Sequence, residues 1–579
     1  MLKVLGQFLR LLKLAIAGRS GRIGIVLYIT VLALELSQIL VSLRMIEWSK
    51  TFYDALQQLD ATTALTQVGV FGLIVLAAVA LTLTSTFVRK HLEIRWRSTL
   101  TSAVMDRWFA NRAFMRLEND RAQGRPDNPD QRIAEDCRLF LAGPNGEHGG
   151  GSGLIPLSID LVTNVVAIFS YLAVLWSLSA FALSLNFIGI QVEIPRYMVW
   201  AAFLYVILCS ALAHVLGNPL KTLYMAQQRR EADFRFGLVR VRENADAIAL
   251  SNGETVERRD LDTRFGGIVD NWKRLIVAEL RLISFTYPYM YTVLRIPTFL
   301  ALPAFFAGAV TFGGLMQLAS AFSQVVTTLS WFIFSYRPLA DLVASSSRLT
   351  VFLDAMEADA PPSPALRRQP SSGPDLSLAG LAVATPAGHE LLSIGSLKVR
   401  RGEAVWLKGA SGLGKTTLFK SLAGLWPHAK GTIGLPTGEP LFLPQRTYFP
   451  DGTLFDAAVY PQSATAFEQP AIADALRAVG LGHRLDTGEA PSTLSGGEQQ
   501  RLALARLMLL KPEWAFLDEA TNSLDLVAEA EILALLRREL PQTAFFIVSH
   551  REPNGIGAFR TVENDTSEAM PSVAEPVPA

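Results

Sequence analysis

Apolar residues are gathered into long runs before about residue 340 and into short ones after it. Six of the early runs are long: Ile23–Leu43, Thr66–Val88, Leu154–Leu178, Tyr197–Leu216, Leu282–Ala307 and Leu315–Tyr336. About 20 mostly apolar residues are enough for a helix to cross a bilayer, so the pattern predicts six transmembrane helices. Three runs carry a charge, namely Glu35, Asp160 and Arg295. A charge at that depth costs about 2.5–3.5 kcal/mol unless it faces water or a partner. The expectation is that Glu35, Asp160 and Arg295 line a water-filled cargo cavity, with Pro288, Pro297 and Pro303 loosening the fifth span. Residues 2–17 are apolar with interspersed Lys and Arg and too short to span. They predict a helix lying along the membrane surface.

The pattern then changes. Residues 356–375 are rich in Pro, Ser and Arg without periodicity and read as a linker. From 376 to 564, short buried-strand runs such as Glu403–Leu407, Trp514–Leu517 and Phe545–Ser549 alternate with helical segments, as in an α/β domain. Residues 565–579 are acidic and Pro-rich and are expected to be disordered. The expected fold is therefore an α-helical polytopic membrane domain over residues 1–355, fused to an α/β phosphate-loop ATPase domain.

Charge gives the orientation. The segments Arg89 to Gly150 and Gly217 to Glu279 are dense in arginine, whereas the loop from Ser179 to Pro195 has no Lys or Arg, and neither does the short loop near Phe312. Lys and Arg mark the cytoplasmic side, which places the N-terminus, both long segments and the ATPase domain there. The long segments are read as cytoplasmic extensions of the helices, with turns that dock on the ATPase domain. The net charge of +1 gives no basis for a nucleic-acid partner, and the two cysteines, Cys137 and Cys209, lack metal-ligand spacing.

Chemistry enters with Gly409, Ala410, Ser411, Gly412, Leu413, Gly414, Lys415 and Thr416, which fit the phosphate-loop pattern between a strand and a helix. Glycines let the backbone approach phosphate oxygens, and the helix N-terminus offers free N–H groups and the positive end of its dipole. Lys415 would reach the β- and γ-phosphates of ATP, and the Thr416 hydroxyl would bind Mg²⁺. Further on, an apolar strand ends in Asp518 and Glu519. Asp518 suits a metal and Glu519 suits a water-polarising base.

These elements, in the order GASGLGKT, Gln445, Leu494-Ser495-Gly496-Gly497-Glu498, Asp518-Glu519, Ser523-Leu524-Asp525 and His550, resemble the nucleotide-binding domain of ABC transporters. The resemblance makes Gln445 a glutamine that touches both nucleotide and metal, and Ser495, Gly496, Gly497 and Glu498 a signature motif on the nucleotide. It adds Thr417 and Asp525 to the ATP contacts and makes His550 a γ-phosphate contact that acts with Glu519 in catalysis. The usual adenine-stacking aromatic is missing from Val383-Ala384-Thr385-Pro386, and Tyr448 is the nearest replacement. In that family the phosphate loop of one subunit faces the signature motif of another, which implies a homodimer of half-transporters.

The membrane half adds its own likeness. Trp48 to Leu56, Ile94 to Arg97, Asp127 to Asp136 and Arg242 to Ala249, with Ala423 to Pro427 and Leu443 to Arg446, resemble the subfamily D (peroxisomal fatty-acyl) half-transporters and their bacterial BacA/SbmA-like and YddA-like relatives. The resemblance implies ATP-driven movement of amphipathic peptides, acyl compounds or bulky solutes across a bacterial inner membrane, with membrane lipids and cargo as partners. A lipid-translocating ATPase and an ATP-switched channel are the alternatives.

Overall fold

The computed structural model describes residues 2–119, 128–144, 152–184, 193–358, 366–370, 373–410, 412–435, 438, 440–485 and 490–563. The tail expected from residue 565 lies outside them, as do Ser411 of the phosphate loop and Asp127 of the first cytoplasmic segment. The chain divides into two units, Met1–Glu357 and Ala358–Ala579.

The first unit is helical. It runs through α1 (Leu2–Ala15), α2 (Gly18–Gln57), α3 (Ala61–Phe109), α4 (Ala113–Asn119), α5 (Pro129–Gln131) and α6 (Cys137–Leu141). It continues with α7 (Leu154–Leu178), α8 (Tyr197–Glu243), α9 (Ala245–Leu250), α10 (Glu254–Phe306), α11 (Phe312–Phe334) and α12 (Tyr336–Glu357). Between α7 and α8, β1 (Ala182–Ser184) and β2 (Glu193–Pro195) pair as an antiparallel ribbon. Helices α2, α3, α8 and α10 hold 40, 49, 47 and 53 residues. At 1.5 Å per residue they are roughly 60–80 Å long, at least twice the hydrocarbon thickness. The arginine-rich segments are thus mostly continuations of spans beyond the bilayer.

Among the described residues, five helices, α2, α3, α7, α8 and α10, are long and apolar enough to cross a membrane. The sixth expected span lies on α11, which has 23 residues but carries Gln317, Ser323, Gln324, Thr328 and Ser330. Its position explains the difference. It packs against α2, α7, α8 and α10, with Leu315, Leu318, Phe322, Val325 and Val326 all buried. A helix surrounded by helices can carry hydroxyls that bond back to its own carbonyls, as Ser330 does to Val326 (2.7 Å). Its N-terminus is tied to the first span: Asp54 accepts from the Gly313 N–H (2.9 Å) and Gln57 from the Phe312 N–H (3.0 Å). These are the residues of the Trp48 to Leu56 motif and its continuation, and they satisfy N–H groups that a helix start leaves without intrahelical partners.

A second core joins α1 to the cytoplasmic ends of α3, α7 and α12 around Leu11, Leu92, Trp96, Leu100, Phe140, Ile155 and Phe352. Trp96 donates its indole N–H to the Gly21 carbonyl (3.1 Å). Its ring lies so close to α2 that a Cβ on Gly24 would come 2.0 Å from Nε1. Asp136, 1% exposed, accepts from Arg132 (2.9 Å) and from Arg348 of α12 (2.6 Å and 3.0 Å). A carboxylate buried that far needs such charge-assisted bonds. Burial pushes the neighbouring Cys137 thiol up to about 12, so it is an inert packing group.

The second unit begins within the segment read as linker. Strand β3 (Leu366–Pro370) pairs parallel with β7 (Ala429–Leu435), which pairs antiparallel with β4 (Leu376–Ala384), and β4 with β5 (Glu390–Val399). β3 is almost wholly exposed along its length, so it lacks the apolar alternation by which a strand is recognised. The main sheet has the order β11 (Phe559–Val562), β6 (Ala404–Leu407), β10 (Ala544–Val548), β9 (Trp514–Asp518), β8 (Pro440–Leu443), all parallel. Phe442, Phe516 and Phe546 stand in register across three neighbouring strands. Phe419 of α13 (Lys415–Leu422) meets all three edge-on, which seats that helix on the sheet. A helical layer of α14 (Leu454–Val459), α15 (Gln469–Ala478) and α16 (Gly496–Leu510) has its own core, and α17 (Leu526–Glu539) packs on the main sheet with β10.

Substituting Gly24→Val should force Trp96 out of its seat and cost about 1–3 kcal/mol by overpacking. A lowered thermal midpoint of the detergent-purified protein, with Gly69→Val unchanged as a control at an open position, checks it.

Candidate active site

Strand β6 is buried at every position, and the chain leaves it into the loop at Lys408. Gly412 and Gly414 adopt φ of +85° and +83°, values that L side chains adopt only at a cost. Gly414 also has Leu391 of β5 against it, so a Cβ there would come 2.8 Å from the leucine Cβ. The loop turns into α13 at Lys415, whose side chain is 6% exposed. Lys415 folds back and donates its ammonium to the Gly409 carbonyl at 2.5 Å. The N–H groups that start α13, including those of Thr416 and Thr417, have no intrahelical acceptor and so suit an anion.

Two strands away in the same sheet, β9 delivers Asp518 and the chain then reaches Glu519. Asp518 is 2% exposed, and its Oδ1 has no hydrogen-bond partner among the described residues. Burial raises its affinity for a proton, with a smaller push from Glu519, and the Thr416 hydroxyl, Lys415 and Lys420 oppose the shift. A buried carboxylate oxygen without a partner, beside a threonine hydroxyl, is suited to a hard divalent cation. Mg²⁺ takes one or two protein oxygens and completes its shell with phosphate and water. Asp518 and Thr416 fit that requirement.

Glu519 lies in the left-handed region at φ +53°, and its N–H donates to Val548 of β10 (2.8 Å). Its carboxylate gathers the predicted catalytic set. Gln445 donates to Oε2 at 2.9 Å, and His550 Nε2 lies 3.0 Å from Oε1. A third group was not legible in the motif order: Asn522 donates to Oε2 at 2.8 Å. Asn522 sits between the strand-end pair and Ser523, one turn beyond Glu519, and only that spacing hinted at it. Gln500 was missed for the same reason. It donates to the Glu519 carbonyl (3.3 Å) and accepts from the Ser523 N–H (2.8 Å).

The signature residues start α16. Ser495 is its cap, with Glu498 completing a capping box. Glu498 accepts from the Ser495 N–H (2.9 Å) and from Arg484 (2.8 Å) and lies 3.1 Å from His483. Arg484 first, then the Ser495 groups, hold its carboxyl well below the usual carboxylate range. Glu498 is thereby committed to shaping the motif, while Ser495 and Gly496 stand exposed. Asp525 likewise caps α17 through the Val527 and Ala528 N–H groups. Tyr448, the replacement offered for an adenine-stacking aromatic, meets Tyr460 edge-on at 5.5 Å, its carbonyl accepts from Arg506, and the residue is exposed. Trp426 donates to the Ala384 carbonyl (2.9 Å), which anchors the Ala423 to Pro427 motif to β4.

Two of the three charges expected to line the cargo cavity, Glu35 and Asp160, lie within electrostatic reach of each other. Glu35 accepts from Ser85 of α3 (2.6 Å). Asp160 lies within electrostatic reach of Glu35 and Arg89, with Trp331 of α11 near it. The cation within reach of Asp160 is therefore Arg89 and not Arg295. The reason is geometric: α3 runs against α2, and Ser85 and Arg89, four residues apart, share the face turned to Glu35. Arg295 is exposed on α10 and makes no hydrogen bond or ion pair among the described residues.

Comparison with known proteins agrees with this organisation. Residues 11–306 match the ABC transporter transmembrane region 2, and residues 392–522 match the ABC transporter ATP-binding region. The chain is 32% identical over 557 residues to the inner membrane ABC transporter ATP-binding protein YddA of Escherichia coli, covering 95% of each. The chain belongs to the ABC transporter family. It is also 28% identical over 596 residues to the lysosomal cobalamin transporter ABCD4 of Mus musculus, covering 95% of this chain and 93% of that one. A bacterial Atm1-family ABC exporter with ATP bound shares the fold, with a TM-score of 0.68 at 19% identity over 92% of this chain and 91% of that one. The protein is accordingly an ATP hydrolase whose hydrolysis is coupled to transport across a membrane.

Three measurements test the site. Glu519→Gln should lower the ATPase kcat by about a hundredfold or more while retaining ATP binding, because the loop and Asp518 are untouched. Wild-type turnover in that variant would remove Glu519 from the chemistry. Chelation of divalent cations should abolish hydrolysis in the wild type, and Asp518→Asn should raise the Mg²⁺ concentration needed for half-maximal rate by about tenfold or more.

Proposed function

We propose that two copies of this chain form a transporter that moves amphipathic peptides, acyl compounds or bulky solutes across a bacterial inner membrane by alternating access. The N-terminus and the ATPase unit face the cytoplasm. The observation that carries this reading is a complete set of hydrolytic groups on a chain with one membrane unit, together with a signature motif whose Ser495 and Gly496 are solvent-exposed. An exposed signature motif is half of a site, and the phosphate loop of a second copy supplies the other half.

In the closed pair, the loop N–H groups and Lys415 would hold the β- and γ-phosphates of ATP, and Ser495, Gly496 and Gly497 of the other copy would cover them. Glu519 would orient the attacking water, with Gln445 and His550 leaving its carboxylate to meet the nucleotide. Bound Mg²⁺, held by Asp518 and Thr416, supplies neutralising charge for the phosphates. Retention of Glu519 and His550 in mutual contact favours turnover over a switch, since a switch needs binding alone.

The cargo class rests on α10. Arg295 is exposed on a helix that contains Pro288, Pro297 and Pro303. Tyr287 and Tyr291 on the same helix are exposed too, and Tyr205 stacks on Tyr289 at 5.6 Å. A cation flanked by aromatic rings suits a cargo with an anionic end and an apolar body. That description includes a fatty-acyl carboxylate and a peptide C-terminus, and the relative named as a cobalamin transporter fits the breadth in size.

Proteoliposomes test the reading. ATP hydrolysis should rise with an amphipathic peptide or acyl compound in a membrane of fixed lipid composition. Arg295→Ala should leave basal hydrolysis within about twofold and remove that stimulation, whereas Arg295→Lys should retain part of it. Stimulation by bilayer lipid alone, with no effect of soluble compounds, would replace the cargo reading with a lipid-translocating one. Full-rate hydrolysis by a monomer would overturn the shared site.

A further inference from the structure

The signature motif and the catalytic carboxylate of one chain are joined by a short path of contacts. A Cβ on Gly497 would lie 3.3 Å from the Ser523 carbonyl oxygen, and one on Gly496 would lie 3.7 Å from the Ser523 hydroxyl. The motif's glycines therefore rest directly on the turn that follows Glu519. The Ser523 N–H donates to the Gln500 side-chain oxygen at 2.8 Å, and the amide nitrogen of the same glutamine donates to the Glu519 carbonyl at 3.3 Å. The orientation of the amide is fixed chemically, because a backbone N–H can only donate and a backbone carbonyl can only accept. Gln500 lies in α16, the helix that Ser495 caps.

Glu519 depends on such support. At φ +53° it holds a backbone conformation that a residue with a Cβ keeps only when its surroundings determine it. The Val548 carbonyl accepts from its N–H, and its own carbonyl accepts from the Gln500 side chain and from the Asn522 N–H, each at 3.3 Å. With both ends of the residue tied, the carboxylate is aimed at Gln445, Asn522 and His550.

We infer that Gln500 is a positioning residue that couples the two ATP sites of the dimer. Its acceptor side holds Ser523 against the signature glycines, and its donor side sets the backbone from which Glu519 acts. The inference rests on the shared-site reading above. When the partner's ATP presses on Ser495–Gly497 of one chain, the displacement reaches that chain's own Glu519 through Ser523 and Gln500. Binding at one site then prepares hydrolysis at the other.

The two halves of the amide can be separated by substitution in the full-length protein in proteoliposomes. Gln500→Met keeps the length of the side chain and removes both hydrogen bonds. Gln500→Glu keeps an acceptor for Ser523 and removes the donor to Glu519. Both variants should lower kcat by about tenfold while the KM for ATP stays within about twofold. Binding of a fluorescent ATP analogue should be unchanged in both, which separates loss of positioning from loss of fold. The Hill coefficient for ATP should fall to about 1 in both variants, because each one breaks the path from Ser523 to Glu519. Wild-type kcat in Gln500→Met, or full recovery of kcat in Gln500→Glu, overturns the tie to Glu519. An unchanged Hill coefficient in Gln500→Met overturns the coupling. A wild-type protein that hydrolyses ATP as a monomer, without cooperativity, overturns the dimer and the coupling with it, while the kcat of the two variants still decides the tie.

Discussion

Glu519 accepts from Gln445 and Asn522 on one carboxylate oxygen and meets His550 on the other. It does so directly after a strand that is buried at every position. A charged group at such a place has to be supplied with donors, because desolvation without them costs several kcal/mol. The donors come from four parts of the chain: the end of β8, the turn after β9, the end of β10 and, through the backbone, α16. The geometry of the ATPase unit follows from bringing those four together. The parallel order that sets β8, β9 and β10 side by side is what places Gln445, Glu519 and His550 at one edge. The ladder of Phe442, Phe516 and Phe546 holds that order, and Phe419 fixes the phosphate loop to the same face.

The membrane unit obeys the same demand in a drier solvent. Lipid offers no hydrogen bonds, so polar side chains within the spans turn to one another. Glu35 accepts from Ser85, and Asp160 lies within reach of Arg89, Glu35 and Trp331. These groups belong to α2, α3, α7 and α11, so the cluster crosses four helices. The innermost helix, α11, is also the least apolar of the expected spans, as its surroundings are protein. Arg295 departs from this pattern, because it is exposed on a helix interrupted by prolines.

The end of α12 shows how the unit is closed on its cytoplasmic side. Arg10 of α1 bonds to Asp354 (2.5 Å) and Glu357 (2.7 Å). Arg107 of α3 meets Glu357 (3.2 Å), and Arg116 of α4 donates to the Met356 carbonyl (2.7 Å). Each exposed pair contributes little singly, about 0–1 kcal/mol. Together they attach three elements to the last turn of a helix, where arginine is also favoured by the helix dipole. The surface helix α1 is thus fastened at the point from which the chain continues towards the ATPase unit.

Local sequence determined whatever depends on neighbouring residues. The phosphate loop was legible because its glycines, Lys415 and Thr416 act from consecutive positions. The five apolar spans were legible because lipid imposes a continuous run on each. The Asp518–Glu519 pair, Gln445 and His550 were legible through their order and the family it resembles. Tertiary structure alone decided the groups whose partners lie far off in the chain. Ser85 met Glu35, and Arg89 rather than Arg295 came within reach of Asp160, because of how α3 lies on α2. Asn522 and Gln500 acquired roles only once a left-handed turn brought Glu519 back over them. Glu498 and Asp525 were drawn into helix caps by N–H groups that the helix start leaves without partners. Strand β3 stayed hidden because an exposed edge strand carries no apolar alternation, and its identity comes from hydrogen bonds to a strand about sixty residues later. A single chain specifies which chemistry is available. Which groups share it depends on distances that only the packed helices and the ordered sheet create.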